Sequence, residues 1–316
     1  MIEFWRYQLQ PVASLNAKTG DGLCEGALIR VGGGHGCVHP WTSLGDRPLS
    51  EQLHLLAIGK PTALGERALQ CCAIDAAARA EKRSLFRGLK VPRSHVTVTE
   101  VDALAVADLA SIRAAGFDCV KIKLGADAER GACQINALAD RWRSSNPPVR
   151  IRLDFNGTLN PDGLRRFSQR LRSHTSDLID FVEDPFPYEP LLWQQLQLET
   201  GLRFALDRNS ERFAADPAFP VRVWKPACSP PPISSSSERL VITSCMDHAI
   251  GQLFAAYEAS VFPGEVDTCG LLTHPVFCED PFFRQLRIED ARLVPPPGPG
   301  LGFGAMLAVL PWKALT

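Results

Sequence analysis

The sequence has 316 residues, with 34 Lys and Arg against 35 Asp and Glu, and a formal net charge of −1. It is 45% hydrophobic and 22% charged and carries no basic run, which excludes disorder, collagen and a nucleic-acid-binding tail. At roughly 100–200 residues per domain, the length suits two domains or one barrel-sized domain. No run approaches the ~18 uninterrupted apolar residues of a membrane span. The N-terminal Met1-Ile2-Glu3-Phe4-Trp5-Arg6 has no apolar leader core, so a cytoplasmic location is expected. The ten cysteines show no Cys-x-x-Cys or Cys/His zinc spacing and are expected to be reduced, mostly as small buried apolar residues.

In chain order, Phe4–Leu9 and Gly26–Val31 read as strands. The run Gly32-Gly33-Gly34-His35-Gly36 lacks the Lys-Ser/Thr of a phosphate loop and reads as a turn into a strand at Cys37–His39. Leu49–Ile58 and Ala68–Phe86 are Ala/Leu-rich and helix-like. From about residue 94, strand-like and helix-like stretches alternate. Val96–Val98 is followed by a helix over Leu104–Ala115, and Cys119–Leu124 by a helix whose apolar face is Ile135, Leu138, Ala139 and Trp142. The strand Val149–Asp154 precedes Asn160-Pro161, a cap with a first-turn proline. Further strands are expected at Leu178–Glu183, Leu202–Asp207, Val221–Lys225 and Leu240–Ser244, and a helix at Ile250–Tyr257. Repeated β–α units imply a parallel sheet, and this many favour a closed barrel.

Charged residues fall at the C-terminal ends of these strands, the face on which such barrels carry their sites. Lys121 and Lys123 lie two apart on one strand, so they point the same way. Asp154, Glu183 and Asp207 end the next three strands, and Lys225 ends the one after. Carboxylates that share one volume resist ionising together, and a hard divalent cation with oxygen ligands, Mg²⁺ or equally Mn²⁺, resolves that conflict. An ammonium beside other cations holds its proton less tightly and can serve as a base. Metal plus lysine is equipment for removing a proton next to a carboxylate.

At these residues the sequence resembles the enolase superfamily, muconate-lactonizing subgroup. The matching pieces are Val120-Lys121-Ile122-Lys123, Arg152-Leu153-Asp154-Phe155-Asn156, Phe181-Val182-Glu183-Asp184-Pro185, Ala205-Leu206-Asp207 and Trp224-Lys225-Pro226. The similarity extends through Ile242–Gly251 and into Pro299–Gly302. The short chain, the Arg-x-Asp-x-Asn pattern from Arg152 to Asn156 and Gly264-Glu265-Val266-Asp267-Thr268 are most similar to the o-succinylbenzoate synthase family. The resemblance implies a modified TIM barrel, (β/α)7β, over residues 93–280. It also implies an α+β capping domain from residues 1–92, completed by residues 281–316. By the same resemblance, Asp154, Glu183 and Asp207 bind Mg²⁺. Lys123 removes the proton α to a carboxylate and returns it to the departing hydroxyl, Lys121 lowers the proton affinity of Lys123, and Lys225 stabilises the enediolate. The expected substrate contacts are Arg152, Asn156, Ser244 and Cys245, with Trp41 either covering the ring or serving as an interface aromatic.

The expected partner is a small-molecule carboxylate, with no nucleic acid and no membrane; oligomeric state stays open, monomer slightly favoured. Arg208 follows Asp207 where the family usually has Glu, and strand alternation turns it away from the site. The prolines at 230–232 preclude an ordinary barrel helix after Lys225. His248 is expected to be a solvated residue at a helix N-terminus, with a substrate-side polar group as the alternative. Two rival functions stay open: an N-acylamino acid racemase or dipeptide epimerase using Lys123 and Lys225 as an opposed pair, and a non-catalytic barrel used for binding.

Overall fold

The computed structural model describes residues 1–15, 18–19, 22–104, 106–143, 148–207, 209–213, 218–232 and 238–316. Arg208 lies outside these residues.

The chain opens with strands β1 (Ile2–Leu9), β2 (Cys24–Val31) and β3 (Gly34–Val38), which form an antiparallel sheet in that order. Gly32 and Gly33 both take positive φ, 58° and 83°, the geometry of a two-residue hairpin turn. The glycine run is therefore a turn, as its missing Lys-Ser/Thr implied. Helices α1 (Leu49–Ala57) and α2 (Ala63–Ala80) follow. Helix α2 starts earlier than its Ala/Leu composition suggested, because the Thr62 hydroxyl caps Gly65 N–H. It also stops earlier than Phe86: just beyond it, Lys82 takes positive φ.

The α2 helix lies close on the sheet because β3 offers it glycines. A Cβ on Gly34 would come within 1.9 Å of the Cys72 carbonyl oxygen, and one on Gly36 within 2.2 Å of that of Ala68.

The barrel begins with β4 (Val96–Val98), α3 (Val106–Ala114) and β5 (Cys119–Lys123). Helix α4 (Ala128–Trp142) is capped by Asp127, and its predicted apolar face, Ile135, Leu138, Ala139 and Trp142, is fully buried. Then come β6 (Arg150–Asp154), α5 (Pro161–Arg170), the short α6 (Ser173–Ser176) and β7 (Ile179–Glu183). Helix α7 (Pro190–Thr200), for which no helix was expected, starts on Pro190 and ends at Gly201 with φ 71°. Strands β8 (Phe204–Leu206), β9 (Val221–Trp224) and β10 (Arg239–Ile242) and helix α8 (Ala249–Val261) complete the units. Between β9 and β10 the described residues hold no helix, as the prolines required.

Strands β4 to β10 form one parallel sheet in chain order. Its two edges are joined by the segment at Cys269–Gly270. Gly270 N–H donates to Ile242 O (2.9 Å) and Ser244 N–H to Gly270 O (3.0 Å) on one side. On the other, Cys269 N–H donates to Arg93 O (2.7 Å) and His95 N–H to Cys269 O (2.8 Å). This closure turns the sheet into the expected barrel, of the (β/α)7β type. The chain ends with the ribbon β11 (Arg287–Glu289) and β12 (Arg292–Val294), then α9 (Gly304–Ala308) and β13 (Lys313–Ala314). Strand β13 pairs with β1, so the end of the chain returns to the first sheet.

All ten cysteines are free. Six are buried, as small apolar residues would be, but Cys133 and Cys278 are exposed. The expectation for His248 is corrected: it is 1% exposed, packed against Trp5, Tyr7 and Phe282 beneath the first sheet. It does cap α8, its Nδ1 accepting from Ile250 N–H.

Beside it, Asp247 is 1% exposed, and its Oδ1 has no hydrogen-bond partner. Burial pushes this carboxyl up to about 7. The unfolded chain ionises near 4, so native stability falls as pH rises from there to about 7 and then levels off. Asp247→Asn is therefore expected to match wild type at pH 4 and exceed it by about 2–4 kcal/mol at pH 8. Urea unfolding at the two pH values tests this; an equal difference at both would contradict it.

Candidate functional site

Strand alternation places Lys121 and Lys123 of β5, Asp154 of β6 and Glu183 of β7 on the inner face of the barrel, toward its C-terminal end. Asp154, Glu183 and Asp207 are all buried. The lysines reach across to them. Lys121 Nζ lies 2.6 Å from Glu183 Oε1 and 2.9 Å from Asp154 Oδ2. Lys123 Nζ lies 2.5 Å from Asp154 Oδ2, and Lys225 Nζ pairs with Asp207 Oδ2. The six charged groups singled out in the sequence, from five consecutive strands or their ends, thus form two ion-paired sets: Lys121 and Lys123 with Asp154 and Glu183, and Lys225 with Asp207.

The electrostatics divide the lysines. Burial opposes a charged Lys121, but the carboxylates of Asp154 and Glu183 overcome it and hold the proton tightly. For Lys123, burial prevails, helped by the charge of Lys121, and the proton is held less tightly than usual. Burial also opposes ionisation of Asp154, yet Lys121 and Lys123 keep it firmly ionised. Glu183 is pushed up to about 7 by burial and by the charge of Asp154. Asp184, which the sequence reading did not single out, is pushed up to about 8 by burial and by Asp207 and Glu183. Its φ of +40° interrupts the alternation that would have turned it outward, and its Oδ1 accepts from Asp207 N–H.

These donors suit a hard divalent cation. They are oxygen-only, and Lys121 already bridges Asp154 and Glu183, so those carboxylates face a common point that takes positive charge. Asn156, at φ +50° just past Asp154, donates its N–H to Asp154 Oδ1, while its own buried Oδ1 has no partner. With the lysines paired to the carboxylates, no three His, Cys, Asp or Glu side chains among the described residues close around one point.

Above the array is a pocket lined by Lys121, Lys123, Asn156 and Lys225, and by Ser244 and Cys245 from the loop after β10. The first sheet's connection contributes His39, Trp41, Leu44 and Asp46 as its roof. Trp41 lines the pocket, and its indole N–H donates to Cys245 O (2.6 Å), tying roof to barrel. Ser244 Oγ lies 2.7 Å from Thr273 Oγ1, and Cys245 Sγ 3.2 Å from Cys228 Sγ.

Arg152 does not line this pocket, which corrects its expected place among the substrate contacts. It lies one layer deeper, 0% exposed, with Nε 2.9 Å from Asp180 Oδ2 and Nη2 3.3 Å from Asp267 Oδ2. The two-residue offset from Asp154 keeps it on the inner face but moves it down the strand. Also lining the pocket are His95, Thr97, Thr243 and Gly270, which the motifs missed. For His95 and Thr97 the signal was available, since they alternate with Val96 into the barrel.

Residues 2–78 match the family described as O-succinylbenzoate synthase, N-terminal domain, and residues 105–215 the one described as Enolase C-terminal domain-like. Over 332 aligned residues the chain is 30% identical to o-succinylbenzoate synthase of Bdellovibrio bacteriovorus, covering 99% of this chain and 98% of that protein. The chain belongs to the o-succinylbenzoate synthase family, within the enolase superfamily.

Solved structures share the fold. Muconate lactonizing enzyme from Pseudomonas fluorescens, complexed with muconolactone, superimposes with TM-score 0.76 at 15% identity, over 96% of this chain and 95% of that one. Dipeptide epimerase from Enterococcus faecalis, complexed with Mg and L-Leu-L-Tyr, gives TM-score 0.76 at 13% identity, over 95% and 98%. In this o-succinylbenzoate synthase family member, then, the capped barrel is the superfamily architecture. No helix among the described residues is long and apolar enough to cross a membrane.

Proposed function

We propose that this chain is itself an o-succinylbenzoate synthase, a metal-dependent carbon–oxygen lyase of menaquinone biosynthesis acting in the cytoplasm. It takes a small-molecule carboxylate, a succinyl-hydroxycyclohexadiene carboxylate, and dehydrates it to 2-succinylbenzoate. The observation that carries this reading is the array itself: three strand-end carboxylates, with Lys121 and Lys123 on one side and Lys225 on the other, under an aromatic-walled pocket in a chain of this family.

Asp154, Glu183 and Asp207 would hold Mg²⁺, or Mn²⁺. When bound, the cation supplies Lewis-acid stabilisation of the negative charge that develops on the substrate carboxylate. Lys123 is the base. Its neutral amine accepts the proton α to the carboxylate, and the resulting ammonium returns that proton to the hydroxyl, which leaves as water from the same face. The ring becomes aromatic, and Lys123 is back in its starting state. Lys225 keeps its charge throughout and offsets negative charge from the opposite side. Lys121 fixes the positions of Asp154 and Glu183 and keeps Lys123 from holding its proton too tightly. Trp41 roofs the ring and limits water entry.

The racemase or epimerase alternative needs both lysines to exchange protons, whereas dehydration needs only Lys123 to do so. The decisive experiment is incubation of the protein with the cyclohexadiene substrate and Mg²⁺, following the aromatic product by absorbance. Turnover is expected, with loss in EDTA and recovery on adding Mg²⁺. Absence of turnover under all these conditions, or turnover indifferent to EDTA, would overturn the proposal.

A further inference from the structure

His95 has no part in the reaction as written, yet its surroundings define its chemistry closely. It stands one residue before β4, is 3% exposed, and lines the pocket beside Thr97 and Lys121. Its Nδ1 lies 3.2 Å from Arg152 Nη1. A guanidinium has donors and no acceptor, so Nδ1 must accept this hydrogen bond. The imidazole is then neutral and carries its proton on Nε2.

Arg152 is well placed to enforce that tautomer. It is immobilised by Asp180 and Asp267 and by a 2.6 Å hydrogen bond from Nη1 to Thr268 O. Burial also favours the neutral ring, and the charges of Arg152, Lys121 and Lys123 add to it.

The far edge of the ring carries Nε2 and faces Gly270. Nε2 makes no hydrogen bond within the described protein. Gly270 lies against that edge: a Cβ there would come within 2.8 Å of His95 Cε1 and 2.9 Å of Nε2. Any side chain at 270 would crowd the one atom of His95 that still has a proton to offer. Three observations thus converge on Nε2–H: a fixed tautomer, an unused donor and a glycine that leaves it room.

We propose that His95 is a substrate-positioning residue, a neutral donor on the pocket floor whose Nε2–H binds an acceptor oxygen of the substrate. This rests on the pocket being the dehydration site. A neutral donor suits the place, because it orients an oxygen without adding another cation beside Lys123.

Two variants separate this role from a structural one. His95→Asn places an amide oxygen where Nδ1 was, so Arg152 keeps an acceptor while the pocket loses its donor. His95→Gln places an amide N–H near the Nε2 position. The Asn variant is expected to lose about 10- to 100-fold in kcat/KM and a similar factor in affinity for 2-succinylbenzoate measured by calorimetry. Its Tm should stay near wild type, and the Gln variant should recover most of the loss. Independently of turnover, ¹⁵N NMR of wild type should show His95 protonated on Nε2 from pH 6 to 8, with its resonance moving on addition of 2-succinylbenzoate. Wild-type kcat/KM and product affinity in His95→Asn would overturn the inference. So would equal losses in both variants accompanied by equal falls in Tm, or a proton found on Nδ1. If wild type turns over while His95→Asn is unimpaired, only the role of His95 fails; if wild type does not turn over, the dehydration reading fails.

Discussion

Lys123→Ala is expected to lower kcat for dehydration by at least about 10³-fold while the protein stays folded. A positioned general base contributes roughly 10²–10⁴-fold, and here the same amine both takes and returns the proton. The fold should tolerate the change. The Lys123 side chain lines the pocket rather than a packed interface, and Asp154 keeps its second cation, Lys121, at 2.9 Å. Steady-state turnover of the purified variant, beside a thermal melt, checks both halves. Activity within tenfold of wild type would remove Lys123 from the role of base. Loss of the folded state would show that it serves packing instead. Lys225→Ala offers a contrast, because Lys225 is assigned charge stabilisation and no proton transfer. In that variant, solvent deuterium exchange into an N-succinyl amino acid should be lost only if the chain also racemises.

The second large effect is on stability, at a residue that does not line the pocket. Asp75 on α2 is 0% exposed and accepts four hydrogen bonds. They come from His35 N–H (2.9 Å), His35 Nδ1 (3.0 Å), Arg79 Nε (2.7 Å) and Leu301 N–H (2.7 Å). One carboxylate thus ties β3, α2 and the C-terminal segment together. Asp75→Ala leaves those donors and the Arg79 charge without their acceptor and is expected to cost about 3–5 kcal/mol. The pH dependence has a definite sign. Burial opposes ionisation, but the His35 and Arg79 hydrogen bonds outweigh it and hold the carboxyl below its ordinary value. Its contribution is therefore complete above the unfolded value near 4 and is lost as pH falls below that. Urea unfolding at pH 7 and pH 3 measures this. A variant as stable as wild type at pH 7 would refute the account.

Much of the site was legible in the sequence because barrel geometry is periodic. A residue at the end of each strand, one βα unit after the last, must face the same opening, so the sequence alone brings Asp154, Glu183, Asp207 and Lys225 together. The two-residue spacing of Lys121 and Lys123 put them on one face for the same reason. That periodicity gives direction but not depth. Arg152 shares the face of Asp154, yet it sits one layer lower and spends its guanidinium on Asp180, Asp267 and His95. Asp184 escaped notice because a left-handed φ breaks the alternation at the strand end. His248 was misplaced because the helix position alone suggested solvent, whereas the first sheet covers that helix end.

The sequence by itself therefore determined the barrel, the order of its units and the identity of the charged array, since all of these follow from local periodicity and strand-end chemistry. Only the tertiary structure decided which residues roof the pocket, how the barrel closes at Cys269–Gly270, and which inward-facing side chains reach the pocket rather than the layer beneath. Those outcomes depend on contacts between segments far apart in the chain, such as Trp41 with Cys245 and Arg152 with His95. No local pattern encodes such distances; they are set by how sheet, helices and barrel pack against one another.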